Sequence, residues 1–282
     1  MKIKKIFAFL TAFILATPLC MCLVGCRSAG NEEIDNLSKV AVVVNGQEFS
    51  TLQEAIDSDV APDNNKLVYK IYGEQKLLGG HIYGTEKPYD GTGTQTYWQN
   101  DLAKGTATTV EIVGGNSSAT LVLTGKYWCV IDSASQNLKI SNLKLIDERE
   151  KSESYEWRYI MTRNDCSDNV EFENCVFEGG IALWNAKTAK VNNCIFNNTG
   201  SKEYAFWFGS EYDIQSSTSA GARCEYFEVK NCEFNGSRGI KIDGTKAFEG
   251  VISRNTFNIS EDGYEYKNYN KNATIKSDIV KN

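Results

Sequence analysis

Val170-Glu171-Phe172-Glu173-Asn174-Cys175-Val176-Phe177 alternates apolar and charged residues up to an asparagine, and the apolar alternation resumes beyond it. A period of two marks a half-buried strand, with Val170 and Phe172 inward and Glu171 and Glu173 outward. Cys175 and Phe177 join the same inward set only if the chain bends sharply at Asn174. Such a bend needs a positive φ, which asparagine tolerates better than other non-glycine residues. The octet therefore predicts strand, left-handed corner, strand.

The unit recurs. Val191-Asn192-Asn193-Cys194-Ile195-Phe196 repeats it, as does Phe227-Glu228-Val229-Lys230-Asn231-Cys232-Glu233-Phe234. Val251-Ile252-Ser253-Arg254-Asn255-Thr256-Phe257 is a further copy, and Leu138–Leu145 around Asn142 an earlier one. With the asparagines as register, the intervals are 32, 19, 38 and 24 residues. A repeat at this period is the mark of a solenoid. The interval of 38 reads as one turn with a long loop. Stacked at strand spacing, Asn142, Asn174, Asn193, Asn231 and Asn255 are expected to hydrogen-bond along the axis as a ladder.

A third strand follows each pair: Gly180–Trp184, Tyr204–Phe208 and Gly239–Asp243, with Trp157–Met161 in the equivalent earlier place. Three short strands per turn, an asparagine corner and stacked inward residues resemble the single-stranded right-handed parallel β-helix of the pectin lyase-like superfamily. The resemblance covers roughly residues 40–260 and implies an all-β solenoid. A β-sandwich with chance repeats is the competing architecture. In the β-helix superfamily an amphipathic helix plugs the first coil. Phe49–Ile56 fits that role here, with Ser50 and Gln53 at capping-box spacing and Leu52, Ala55 and Ile56 as its apolar face. Val40–Val44, the Asn45-Gly46 turn, Lys66–Tyr72, Val110–Val113, Ala119–Leu123 and Trp128–Ile131 read as early strands and rungs. The expected division is a signal at 1–25, a polar tether at 26–39, the β-helix at 40–260 and a polar tail or loose cap at 261–282.

The N-terminus carries Lys2, Lys4 and Lys5, then an apolar run from Ile6 to Leu19, closing on Leu23-Val24-Gly25-Cys26. This pattern is that of an export signal. Leu-Val-Gly-Cys resembles the bacterial lipobox, which implies lipidation of Cys26 and attachment to the cell envelope; a retained transmembrane anchor is the alternative. The 282-residue chain has 30 basic and 36 acidic residues, a net charge of -6. Loss of the three signal lysines makes it -9. That balance gives no electrostatic footprint for nucleic acid. It also makes the lipid, rather than basic surface, the expected membrane attachment. One histidine, His81, argues against multi-histidine metal sites and most histidine-dependent nucleophilic catalysis.

Of nine cysteines, Cys20 and Cys22 would leave with the signal, and Cys175, Cys194 and Cys232 share one inward position of the repeat. Their register is explained by packing as small hydrophobes, although rung spacing permits a disulfide. A ladder spreads thiols along an axis, so no tetrahedral zinc site is expected. Cys129, Cys166 and Cys224 remain unassigned.

In the superfamily that the chain resembles, the third strand and its loop carry the polysaccharide groove. Carried over, the outward residues there are Trp184, Trp207, Lys241 and Asp243, with Arg163, Asp165 and Arg238 at nearby loop positions. The phase of the middle strand is ambiguous; with Tyr204, Phe206 and Phe208 inward, Trp207 faces outward. Aromatic faces flanked by polar groups suit a glycan ligand. The competing expectation is that these aromatics simply pack beneath long loops such as Glu211–Arg223. A lyase would need several oxygen ligands for Ca²⁺, and a hydrolase a spaced carboxylate pair. Lys241, Asp243 and Arg238 supply only fragments of either, and no cofactor is expected unless Ca²⁺ serves a lyase. Phe49–Ile56 resembles the start of pectin methylesterases, whose catalytic strand motifs are missing here. The expectation is thus a monomeric, non-catalytic carbohydrate-binding or surface-interaction module. A lyase or hydrolase acting on acidic polysaccharide is the first alternative, and a structural or adhesive protein the second. The aromatic, Gly/Thr-rich stretch 81–100 reads as a long loop, and Asp147–Glu156 as a solvated charged one.

Overall fold

The computed structural model describes residues 40–79, 106–125, 136–148, 159–162, 168–184, 186–199, 203–209 and 224–279. Cys26, the expected signal and tether, the 81–100 stretch, Trp128–Ile131, Cys129, Cys166, Arg163, Asp165 and the 210–223 loop lie outside these residues. Among the described residues no helix is long and apolar enough to cross a membrane.

The described residues open with an antiparallel hairpin, β1 (Val42–Val44) and β2 (Gln47–Phe49), then helix α1 (Leu52–Asp57). Asn45 and Gly46 have φ of 45° and 87°, the two left-handed residues that a tight hairpin turn demands. Next come β3 (Lys66–Ile71), β4 (Glu74–Gly79), β5 (Thr109–Gly114), β6 (Thr120–Gly125), β7 (Asn137–Ser141), β8 (Lys144–Asp147) and β9 (Tyr159–Thr162). The central coils are β10 (Asn169–Glu173), β11 (Val176–Glu178) and β12 (Gly180–Leu183), then β13 (Thr188–Asn192), β14 (Ile195–Asn198) and β15 (Phe206–Phe208). The last are β16 (Tyr226–Lys230), β17 (Glu233–Ile242), β18 (Glu249–Ser253), β19 (Thr256–Asn268) and β20 (Thr274–Ser277).

Pairing from β3 onward is parallel along each series, so the sheets curl into a solenoid-like stack. The first series runs β3-β5-β7-β10-β13-β16-β18-β20 and the second β4-β6-β8-β11-β14-β17-β19. The third is β9-β12-β15, joined to the ends of β17 and β19. Because β13 pairs directly with β16, the interval of 38 is one turn with a long loop, as expected.

Inward columns make one continuous core. Val110, Leu138, Val170, Ala189 and Phe227 stack in the first series, and Leu121, Leu145, Phe177, Phe196 and Phe234 in the second. The Phe177, Phe196, Phe234 and Phe257 rings lie 4.7, 4.8 and 5.0 Å apart and within 8° of parallel. Parallel in-register strands impose that arrangement, since equivalent side chains repeat at the strand spacing.

The corners are left-handed at Asn142, Asn174, Asn193 and Asn231, with φ between 53° and 56°. Asn174 Nδ2 donates to Asn142 Oδ1 at 3.0 Å, and Asn193 Nδ2 to Asn174 Oδ1 at 2.6 Å. Asn231 turns aside, donating to Asn192 Oδ1 at 2.8 Å. Asn255 is not a corner. Lys230 pairs with Ser253 and Glu233 with Thr256, so Arg254, at φ 58°, holds the corner and Asn255 takes the cysteine slot. The interval there is therefore 23 residues, and the clue is Phe257, three residues after Arg254 but only two after Asn255. Two further ladders join Asn197, Asn235 and Asn258, and Asn137, Asn169 and Thr188.

Cys175, Cys194 and Cys232 are buried thiols at one inward position. The sulfurs of Cys175 and Cys232 against Cys194, together with burial, hold its thiol protonated far above the usual range. The same contacts draw Cys175 and Cys232 down.

Two boundaries differ from expectation. Thr51, not Ser50, caps α1: its Oγ1 accepts from Glu54 N–H, while Glu54 Oε2 accepts from Ser50 N–H. The paired strands also run on beyond residue 260, since β19 reaches Asn268 and β20 pairs with β18. The 261–282 segment reads as polar because the last strands' outward residues are polar and charged.

Candidate functional site

The third series has its phase set by Ile181, Leu183, Phe206, Phe208, Ile240 and Ile242, all in the core. Alternation then sends Trp184, Trp207, Lys241 and Asp243 to the opposite side. Tyr204 departs from the expected inward set. It precedes β15, Ala205 takes the core position, and the Tyr204 hydroxyl lies 3.5 Å from that of Tyr269.

The structure brings the outward residues together but does not present the tryptophans to solvent. Trp184 is 3% and Trp207 2% exposed, with ring centroids 5.1 Å apart at 64°. Lys241 Nζ lies 3.6 Å from the Trp207 ring centroid, 5.3 Å from that of Tyr269 and 2.8 Å from Asp243 Oδ2. Its charge is thus matched within the molecule: an aromatic face and a carboxylate are what a largely enclosed ammonium needs, and 16% of the side chain stays exposed. Asp243 Oδ1 accepts from Gly244 N–H at 2.8 Å. Only 4% of the Asp243 side chain is exposed, so the carboxylate is spent on Lys241 and the turn. Expecting Trp184, Trp207 and Asp243 to line an open groove is therefore corrected. Outward phase does not entail solvent contact once neighbouring side chains stack over the sheet.

What is open lies one rung further. Tyr264 and Tyr269 are 43% and 52% exposed, the largest values among the exposed large apolar side chains of the described residues. Lys267 Nζ stands 3.3 Å from the Tyr264 ring centroid, and the Arg238 guanidinium 5.5 Å from that of Tyr204. Register places them: Arg238 pairs with Tyr264 and Lys241 with Lys267, while Tyr269 N–H donates to Ile242 O. Burial, then the Tyr269 hydroxyl, pushes the Tyr204 phenol well above its usual range, so it stays neutral. The signal for this patch was present as Tyr264-Glu265-Tyr266-Lys267-Asn268-Tyr269, an alternation masked by its polar surroundings.

A second groove, of about 460 Å³, lies on the outer face of the first series. Its column Glu111, Lys139, Glu171, Lys190 and Glu228 alternates in sign from rung to rung. Lys139 Nζ lies 2.8 Å from both Glu171 and Glu173, and Lys230 2.7 Å from Glu228. Such pairs are weak individually, but skipping a rung would set like charges opposite one another, Glu111 against Glu171 and Lys139 against Lys190. Among the described residues, no three histidine, cysteine or acidic side chains converge on one metal position. The chain matches no protein-family model, no curated protein and no solved structure.

Proposed function

We propose that the described domain is a right-handed parallel β-helix of the pectin lyase-like kind, exported and lipid-anchored through Cys26, that binds carbohydrate without turning it over. The binding face is the outer side of the third series, at its Tyr264–Tyr269 end. The observation that carries this reading is the exposure of Tyr264 and Tyr269 beside Lys267 and Arg238. Flat aromatic rings offer sugar faces an apolar platform, and adjacent cations and hydroxyls supply directional hydrogen bonds. Lys241, Asp243, Trp184 and Trp207 form the support beneath that platform and not its contact surface. The pairing of Asp243 with Lys241 favours binding over acid–base catalysis at this place, since each group is held by the other and the carboxylate is almost fully enclosed.

The test is a glycan array probed with the full chain, followed by product analysis on any ligand found. Binding without new reducing ends or unsaturated products supports the proposal, with Tyr269→Ala lowering affinity about tenfold, the loss of roughly one stacked ring. Product release would replace it with a lyase or hydrolase reading. No glycan binding at all would favour a structural or adhesive role. The anchor is tested by labelled fatty-acid incorporation, which Cys26→Ala should abolish.

A further inference from the structure

Cys175, Cys194 and Cys232 occupy one inward position in three consecutive rungs. Ile195 N–H donates to Cys175 O and Glu233 N–H to Cys194 O, both at 2.9 Å, so the three are in strict register. Their thiols point alike, each donating to the carbonyl two residues earlier: Glu173 at 3.4 Å, Asn192 at 3.3 Å and Lys230 at 3.1 Å. Equivalent atoms in adjacent parallel strands are about 4.8 Å apart, so the sulfurs form a line with that step. A groove of about 380 Å³ runs over the corners and is lined by these cysteines, by Asn174, Asn193 and Asn231, and by Arg254.

Three sulfurs in a line cannot make the convergent tetrahedron that zinc takes. A line with this step suits a two-coordinate ion instead. A metal–thiolate bond of roughly 2.3 Å on each side spans about 4.6 Å, within a few tenths of an ångström of the rung step. Soft thiolates select Cu(I), zinc and iron–sulfur clusters among biological metals, and of these only Cu(I) suits a two-coordinate line. We propose that Cys194 and either neighbour hold one soft monovalent cation, Cu(I) or its probe Ag(I), between rungs. The ion forms two metal–sulfur bonds and displaces two thiol protons, leaving a bis-thiolate of charge −1 with no change of oxidation state. Arg254 adds positive charge to the same groove. Cys194 is shared, and a second ion would have to bridge through its sulfur beside a like charge in a buried column, so one ion per chain is expected.

The sharing dictates a pattern that a merely structural ladder would not produce. The experiment uses the full chain under a thiol-free reductant, with Cys20, Cys22, Cys26, Cys129, Cys166 and Cys224 replaced by alanine, titrated with Cu(I) against a Cu(I)-specific chelator. The parent should bind one ion per chain, with a thiolate-to-copper charge-transfer band and a raised melting temperature. Cys175→Ala and Cys232→Ala should each keep one ion. Cys194→Ala, and the double Cys175→Ala/Cys232→Ala, should lose it. The two single variants serve as folding controls, because each makes the same lesion in the same core column. Absence of binding by the parent overturns the proposal, as does a Cys194→Ala chain that binds as the parent does. Loss in every single variant also overturns it, since that would need all three sulfurs at once. A thiol count below three in the parent before titration would assign the ladder to a disulfide and overturn it as well.

Discussion

Cys232 donates its backbone N–H to Oδ1 of Asn255 at 2.8 Å, and Asn255 Nδ2 in turn donates to Val229 O at 3.0 Å. The last asparagine of the repeat has thus moved from the corner into the slot that Cys175, Cys194 and Cys232 fill. There it stitches two rungs through the backbone, and Arg254 is left to make the corner.

That exchange predicts a stabilising substitution. Arg254 sits at φ 58°, where a side chain other than asparagine or glycine costs about 1–2 kcal/mol. Its backbone N–H, which donates to Asp278 Oδ2 at 2.7 Å, is untouched by a side-chain change. Arg254→Asn is expected to raise stability by about 1 kcal/mol in urea denaturation, with an unchanged slope.

The reverse holds at a native corner. Asn174→Ala removes the amide contacts to Asn142 and Asn193 and places alanine at φ 54°. A loss of about 2–3 kcal/mol is expected, with Asn174→Gly losing about half as much because only the hydrogen bonds go. Equal losses in the two variants would show that the backbone angle contributes nothing.

Lys241 and Asp243 should behave as a coupled pair. Their side chains are 16% and 4% exposed, so removing either leaves a poorly solvated charge. Asp243→Ala or Lys241→Met alone is expected to cost about 3–5 kcal/mol, and the double variant far less than the sum. Additive losses in a double-mutant cycle would contradict this.

Gly250 lies in the inward column directly beside Phe227. A Cβ built there would stand 2.1 Å from Phe227 Cε1, so the ring must shift in a core column where Phe248 already packs against it at 6.2 Å between centroids. Gly250→Ala is expected to destabilise by about 1–3 kcal/mol. Phe227→Leu in the same chain should recover part of that loss, measured as a rise in melting temperature over Gly250→Ala alone.

Alkaline pH should unfold the protein along a defined path. Burial, then the Glu228 hydrogen bond, pushes the Tyr226 phenol up to about 12, and burial pushes Tyr266 to about 12. Unfolded tyrosine titrates near ~10, so their contribution is complete below that pH. It is lost as pH climbs from about 10 to 12, because the unfolded chain releases those protons first. Lys139, raised by Glu171 and then Glu173, adds to the same slope. Stability measured against pH should fall over this window, and less steeply in Tyr226→Phe. A flat profile from 10 to 12 would refute the assignment.

Much of the fold was legible because its rules are local. Alternation of period two set the inward face of β10, β13 and β16, and the need for positive φ picked out Asn142, Asn174, Asn193 and Asn231. The same local reading misplaced Asn255, where the asparagine was trusted above the phenylalanine spacing. It also stopped near residue 260, because a final coil buries less and its sequence looks like a loop. Only part of the site was readable. Trp184 and Trp207 have the predicted outward phase, but the exposed rings are Tyr264 and Tyr269.

By itself, then, the sequence determined the repeat, the phase of the strands flanking the asparagines and four of the corners, since the phase and the corners depend on residues within one octet. Only the tertiary structure decided which outward side chains meet water. Lys241 settles between Trp207 and Tyr269, which lie 34 and 28 residues away along the chain. Such neighbours are chosen by the register of the stacked coils, and loop length, rather than residue type, sets that separation.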